Sequence, residues 1–339
     1  LSEKTAEKLF FNEGILNGSI SKFEKYFECP YHYYLQYGLN INEYHPASLD
    51  AAMIGTIQHA LMENSVRQYG KDYGCITKED IRLLVHPYFE QLFILYPLKE
   101  TLLRISEERV LDVLYDSVTY LAEMEKNTSY VPTELEKKVE YDLVLPNGTV
   151  HFKGFIDRLD TCGNNFRIID YKSSKHTMKK ADIEAGVRLQ LLTYMMIVEA
   201  LEKKIPEAVL YFSFKKDNLS TDAGTVTKQN VFEAYSPEKD YDIYAKGRRL
   251  IGLKFMDSDS LDYECKFTDT SSTVSADEQL DLLVGLYSHL IEQLKVGDIK
   301  LEPIEGACTF CTFRSICRFK GEQKKKEPIL KGEDDNGLE

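Results

Sequence analysis

The chain has 339 residues, 43% hydrophobic and 29% charged, a balance that suits a globular protein of one large domain or two smaller ones. A formal charge of −13 excludes a uniformly basic surface that would hold a polyanion by bulk electrostatics. Local basic patches can still act within a screening length of about 8 Å. The longest uncharged, mostly apolar stretch, Leu189 to Val198, is too short to span a bilayer and is interrupted by Gln190 and Thr193. No basic-then-apolar leader opens the chain, and its seven cysteines read as reduced thiols of a cytoplasmic protein. The first residue is Leu1 rather than Met, which suggests a piece of a longer or processed protein.

Residues 1–45 are rich in aromatics, among them Phe10, Phe11, Phe23, Tyr26, Phe27, Tyr31, Tyr33, Tyr34 and Tyr37. From Ser21 they recur with helical spacing, with Ser19 or Ser21 as N-cap. The expected use of that aromatic face is core packing, with stacking on nucleobases as the other reading. Residues 46–130 form a helical region, with Leu102, Leu103, Val110, Leu111, Leu114, Val118 and Leu121 on a 3–4 spacing.

The period then changes. Segments 136–145, 149–160 and 165–173 read as strands joined by turns at Pro146-Asn147-Gly148 and Cys162-Gly163-Asn164-Asn165. A helix over 181–203 and a strand over 208–214 follow, completing a core over 131–215. Helix, three strands, helix and strand predict an α/β (α+β) fold, a mixed sheet with flanking helices. Residues 216–319 hold a stretch without clear pattern to 275, an amphipathic helix over 277–296 and a cysteine-rich segment. The charged tail 320–339, with its Lys324–Lys326 run, is expected to be disordered.

Asp170-Tyr171-Lys172 follows the mostly apolar run Phe166 to Ile169. Residues two apart in a strand share a face, about 6.6 Å apart, so Asp170 and Lys172 point the same way. The preceding strand carries Asp157 within Gly154-Phe155-Ile156-Asp157-Arg158. Two converging carboxylates suit Mg²⁺ or Mn²⁺, which can polarise a phosphoryl oxygen, while a lysine offsets charge in the transition state. An ordinary surface Asp–Lys pair is the plain alternative. Gln190 and Tyr194 share a helical face, as do Gly55 and His59, where the glycine would permit close approach. His59 could ligate a metal or be a hydrogen-bonded structural residue.

Near the C-terminus, Cys308, Cys311 and Cys317 form a C-x2-C-x5-C run, and Cys29 is the best fourth thiol. Four thiolates suit zinc or an iron–sulfur cluster, and spacing alone does not choose. Such a site would tie the two ends of the chain together. Cys75, Cys162 and Cys265 read as ordinary thiols.

Taken in order, these motifs resemble the RecB-like branch of the PD-(D/E)XK nucleases, most closely the C-terminal nuclease domains of the AddAB-type helicase–nucleases. The resemblance rests on Ser19 to Glu24 with Cys29-Pro30 and Tyr37-Gly38-Leu39, and on Gly55 to His59. It continues through Gly154 to Arg158, Asp170 to Ser174, Gln190 with Tyr194, and Cys308 to Cys317. It implies a restriction-endonuclease-like core and a Mg²⁺- or Mn²⁺-dependent DNA exonuclease working with a helicase partner. His59, Asp157 and Asp170 would be metal ligands with the Tyr171 carbonyl assisting, Lys172 the catalytic lysine, and Gln190 and Tyr194 supporting groups. Cys29, Cys308, Cys311 and Cys317 would hold a [4Fe-4S] cluster, with Zn²⁺ the alternative. Glu136 could match an acidic position on the first core strand, in competition with Glu134 and Glu140. No G-x4-GK-[ST] loop occurs, so no ATP-driven step is expected in this chain. A Cas4-like stand-alone nuclease and a non-catalytic DNA-binding scaffold are the competing readings.

Overall fold

Serine caps start the first helices. Ser2 precedes α1 (Glu3–Phe10), and Ser19, rather than Ser21, caps α2 (Ile20–Glu28), its Oγ accepting from Lys22 N. Between them lie two short strands, β1 (Phe11–Asn12) and β2 (Ile15–Gly18), so the N-terminal segment is not purely helical. Pro30 opens α3 (Pro30–Tyr33), followed by α4 (Ala51–Tyr69), α5 (Lys78–Leu95) and α6 (Glu100–Glu125). The core strands are β3 (Val131–Leu145), β4 (Gly148–Cys162) and β5 (Asn165–Lys172). Then come α7 (Lys180–Glu184), α8 (Gln190–Glu202), β6 (Ile205–Ser213), β7 (Leu250–Lys254) and β8 (Tyr263–Cys265). The chain continues through α9 (Ala276–Lys295) and α10 (Arg314–Cys317). This computed structural model describes residues 1–42, 51–125, 128–174, 176–214, 250–256, 263–265 and 273–330. Most of the unassigned stretch after 215 lies outside the described residues.

The strands make one mixed sheet in the order β1-β2-β4-β5-β6-β7-β8, with β3 pairing β4 beside that path. β3, β4 and β5 run antiparallel in turn, and β6 lies parallel to β5 after the α7–α8 crossover. Alternate side chains of β5 enter two cores. Ile168 packs in the cluster of Phe23, Leu192 and Leu286 from α2, α8 and α9. Ile169 and Tyr171 pack in the cluster of Leu61, Val85 and Leu114 from α4, α5 and α6. The sheet is therefore a middle layer between two sets of helices. Phe23, Tyr26, Phe27 and Tyr33 are core residues, as the packing reading expected. No helix among the described residues is long and apolar enough to cross a membrane.

Three boundaries differ from expectation. The 181–203 helix is interrupted at Gly186, whose φ of +76° belongs to glycine and where a Cβ would meet the Phe27 ring at 2.4 Å. β3 begins at Val131, five residues earlier than the apolar alternation suggested, because its first half is polar and borders solvent. The tail expected to be disordered is placed against the body as far as Leu330. Lys326 pairs with Asp182 at 2.6 Å, and Ile329 N donates to Glu184 O at 3.1 Å. Lys324 and Lys326 have acidic partners, and Ile329 and Leu330 pack against the body. Residues 331–339 lie outside the described residues.

Behind β4 and β5, facing α6, sits a charge network whose three central members are shut off from solvent. Arg158, Asp160 and Arg167 are each 0% exposed. Asp160 accepts from Arg158 Nε at 2.6 Å and Arg167 Nε at 2.9 Å, and Glu125 accepts from Arg158 Nη2 at 2.6 Å. Removing one partner of such a set leaves buried charge uncompensated. Asp160→Ala is expected to lower the unfolding free energy by about 3–5 kcal/mol in denaturant melts. A loss below about 1 kcal/mol would mean that water reaches the guanidinium groups.

Candidate active site

β4 changes neighbours along its length. Thr149–Phe152 pair with β2 and Arg158–Cys162 with β5. Residues 153–157 therefore have β3 on one edge and no strand on the other among the described residues. β4 and β5 part beyond the Arg158–Ile169 pair, and Asp157 and Asp170 are the next residues on the separating strands. Asp157 Oδ2 accepts the Tyr171 backbone N–H at 2.7 Å, a side chain replacing the lost ladder bond.

His59 reaches this fork from α4. Its Nε2 lies 2.9 Å from the Tyr171 carbonyl, which can only accept, so Nε2 carries hydrogen. The opposite nitrogen, Nδ1, then faces Asp157 Oδ1 at 3.5 Å and Glu136 Oε1 at 3.7 Å. One ligand atom each from His59, Glu136 and Asp157 falls within 4.8 Å of the other two. Of the three glutamates that competed in the sequence, Glu134 is occupied by Lys137 at 2.6 Å and Glu140 by Lys138 at 3.0 Å. Glu136 faces the histidine, from a backbone held at φ +47°, a strained value for a non-glycine residue in a strand.

Electrostatics define what this pocket favours. Asp170 is 2% exposed. Burial first, then the Asp157 charge, pushes its carboxyl up to about 7 against the pull of Lys172 and His59. Burial alone would lower the His59 imidazole, but Asp157, Glu136 and the Asp170 charge outweigh it and raise it to about 10. Asp170 Oδ2 is buried without an aligned hydrogen bond, its close contact being Lys172 Nζ at 2.6 Å. Glu136, Asp157 and His59 converge beside the buried Asp170 at the edge of an open cavity, a hard-donor set that fits a divalent cation.

Supporting groups come from α8 and α2. Lys172 Nζ donates to Gln190 Oε1 at 3.1 Å. Tyr194 lies over Gly154, where a Cβ would stand 2.5 Å from its hydroxyl; burial first raises that phenol to about 12, against hydrogen bonds from Gln190 and the Phe155 backbone. On the α4 side, Ser173 Oγ donates to Gln58 Oε1 at 2.6 Å, and a Cβ on Gly55 would lie 3.2 Å from that serine oxygen.

Glu24 was not among the expected site residues. Its carboxylate accepts from Leu189 N at 2.7 Å and Gln190 N at 3.1 Å, capping a helix that has no side-chain cap of its own. It thereby holds the turn that presents Gln190 to Lys172. No local pattern marks a cap 165 residues away in sequence. Burial raises the Glu24 carboxyl from 4.5 to about 7, opposed by those two backbone bonds and Arg188. The native chain thus holds this proton more tightly than the unfolded chain, so the contribution to stability falls as pH rises from 4.5 to about 7. Glu24→Gln removes that fall. Denaturant melts should therefore shift in the variant's favour toward pH 7, and parallel curves for the two proteins would count against a buried carboxyl.

The four expected cysteines share one cavity, but no three of their sulfurs close to within 4.8 Å of one another as the His59, Glu136 and Asp157 ligand atoms do. Cys29, at the C-cap of α2, lines one small cavity with Cys308, Cys311 and Cys317. Burial raises the thiols of Cys29 and Cys311, and the neighbouring cysteines add to that rise. His32 Nδ1 lies 3.5 Å from Cys311 Sγ. Four soft sulfur donors from both ends of the chain suit a thiolate-bound metal group.

The family model of the PD-(D/E)XK nuclease superfamily matches residues 17–318. The chain is 28% identical, over 94% of its length, to the B subunit of the ATP-dependent helicase/deoxyribonuclease of Clostridium acetobutylicum. It is 26% identical, again over 94% of its length, to the protein of the same name from Listeria welshimeri, and 24% over 93% to that from Carboxydothermus hydrogenoformans. It spans about a third of the length of these relatives, 31% of the first two and 32% of the third. The fork of strands with its carboxylates and lysine, and the match along nearly the whole chain, agree: this chain belongs to the PD-(D/E)XK nuclease superfamily.

Proposed function

We propose that the chain is the nuclease module of a helicase–nuclease that processes DNA double-strand breaks, a Mg²⁺- or Mn²⁺-dependent exonuclease hydrolysing DNA phosphodiester bonds. The convergence of Asp157, Asp170 and Lys172 at the parting of β4 and β5 carries this reading. The relatives are named as the B subunit of a helicase/deoxyribonuclease, which supports a DNA substrate and a helicase partner. Free cysteines suit a cytoplasmic location.

His59, Glu136, Asp157 and Asp170 would hold the cation. A divalent ion bound there supplies Lewis-acid polarisation of the phosphoryl oxygen and makes water more acidic. The Tyr171 carbonyl accepts from His59 Nε2 and so leaves Nδ1 for the cation, while its second lone pair would assist as a ligand. Lys172, held by Asp170 and Gln190, presents an ammonium group to the charge that develops on the phosphate. Cleavage of single-stranded DNA with Mg²⁺ or Mn²⁺ should fall about 100- to 1,000-fold in Asp170→Ala and in Lys172→Ala while melting curves stay cooperative. Undiminished cleavage by Asp170→Ala would remove the site.

Cys29, Cys308, Cys311 and Cys317 would hold a [4Fe-4S] cluster with a structural role. The shared cavity supports a thiolate site, and zinc is the second reading because the donor set suits both. Protein purified without oxygen should be brown, with broad visible absorption and about four iron atoms per chain. A colourless preparation with one zinc would establish the second reading instead. Cys29→Ala should lower the melting temperature more than Cys75→Ala, and equal melts would take Cys29 out of the site.

A further inference from the structure

The β3–β4 ribbon carries more than carboxylates on the face that forms the site. Paired residues on adjacent strands share a face, as do residues two apart along one strand. Moving from Asp157 away from the fork, Phe155 comes next, opposite Lys138, and then Lys153, opposite Glu140. Phe155 is 53% exposed, whereas Ile156 beside it is fully buried. With Gly55, His59 and Glu136, Phe155 lines an open cavity of about 610 Å³. The Lys138 side chain is 66% exposed, and its partner Glu140 is a surface contact at 3.0 Å. Such pairs are worth at most about 1 kcal/mol and exchange readily. Lys153 is exposed as well.

This face of the β3–β4 ribbon therefore offers an aromatic ring and two ammonium groups, Phe155 and Lys153 lying one and two strand steps from Asp157 and Lys138 opposite Phe155 on β3. This is the combination that holds an unpaired nucleic-acid strand, with a ring against a base face and cations along the phosphates. Bases inside a duplex are stacked on one another and cannot reach the ring. In a chain of net charge −13, this strip is a local positive approach that ends at an acidic, cation-seeking pocket.

We propose that Phe155 and Lys138 form a subsite for the nucleotide beside the scissile phosphate of an unpaired DNA strand. Phe155 stacks on the base, Lys138 faces the phosphate of that nucleotide, and Lys153 faces the next. The proposal rests on the nuclease reading and deepens it, since it makes Phe155 a selector of single over double strands.

The test uses the full chain and a fluorescent single-stranded oligonucleotide, with Ca²⁺ replacing Mg²⁺ so that binding is measured apart from cleavage. Phe155→Ala should weaken binding about 5- to 100-fold. Phe155→Tyr should stay close to wild type, whereas Phe155→Leu, which keeps the bulk without the ring, should behave like the alanine variant. Lys138→Ala should reduce the slope of log affinity against log salt by about 0.7. With an abasic position stepped along the oligonucleotide, one position should abolish the Phe155→Ala penalty, because the ring then has no base to lose. An equal penalty at every abasic position, no penalty at all, a penalty on duplex alone, or no binding by the wild-type chain would each overturn the subsite. Normal cleavage by Asp170→Ala with the Phe155 effects intact would instead overturn the catalytic reading and leave the subsite standing.

Discussion

Two strands separate, and what they expose at the fork sets the rest of the site. Beyond the Arg158–Ile169 pair, β4 and β5 no longer satisfy each other's backbone, and Asp157 spends one oxygen on the Tyr171 amide that the ladder has released. Asp170 lies buried beside Asp157 and Glu136 faces it across His59, so like charges stand close together at the fork. In this structure a proton on His59, the ammonium of Lys172 and a raised Asp170 carboxyl share the load. A doubly charged ion would answer the same repulsion from a single point. Folding therefore concentrates negative charge at one place, and the strained backbone at Glu136 is consistent with a side chain held there against local preference.

Neighbouring residues send opposite charges to opposite faces. Asp157 turns toward His59 and the Tyr171 amide, while Arg158 turns to the network of Asp160, Arg167 and Glu125. Alternation along a strand makes this division compulsory. Arg158, Asp160 and Arg167 of the rear network are fully buried and hydrogen-bonded to one another through Asp160, which ties β4 to β5 just behind the fork. The acidic total of the chain thus conceals an ordered arrangement: buried cations behind, acids at the fork and exposed lysines along the approach.

Much of this could be read from residue order. Asp170 and Lys172 stand two apart in a strand and do share a face, and the three-strand meander with a helix before the fourth strand follows from the change of period. The four distant cysteines likewise line one cavity. What escaped the sequence depends on contacts between remote segments. Three glutamates on β3 are equivalent until a kink at one of them turns it toward α4. The broken helix near Gly186 hides inside an apolar run, and its cap comes from residue 24. The tail looks disordered by composition because its lysines and its last apolar residues have no partners until Asp182 and α9 are in place.

One short helix joins two parts of the molecule that serve different ends. α2 carries Glu24 in its middle and is terminated by Cys29, and at nine residues it is a rod of about 13 Å. Cys29 places one end of that rod at the sulfur cavity, while Glu24 grips the first turn of α8. That turn carries Gln190, whose Oε1 accepts from the lysine at the fork. Two regions far apart in sequence thus meet on a single nine-residue helix, so the sulfur cavity and the fork have a common support.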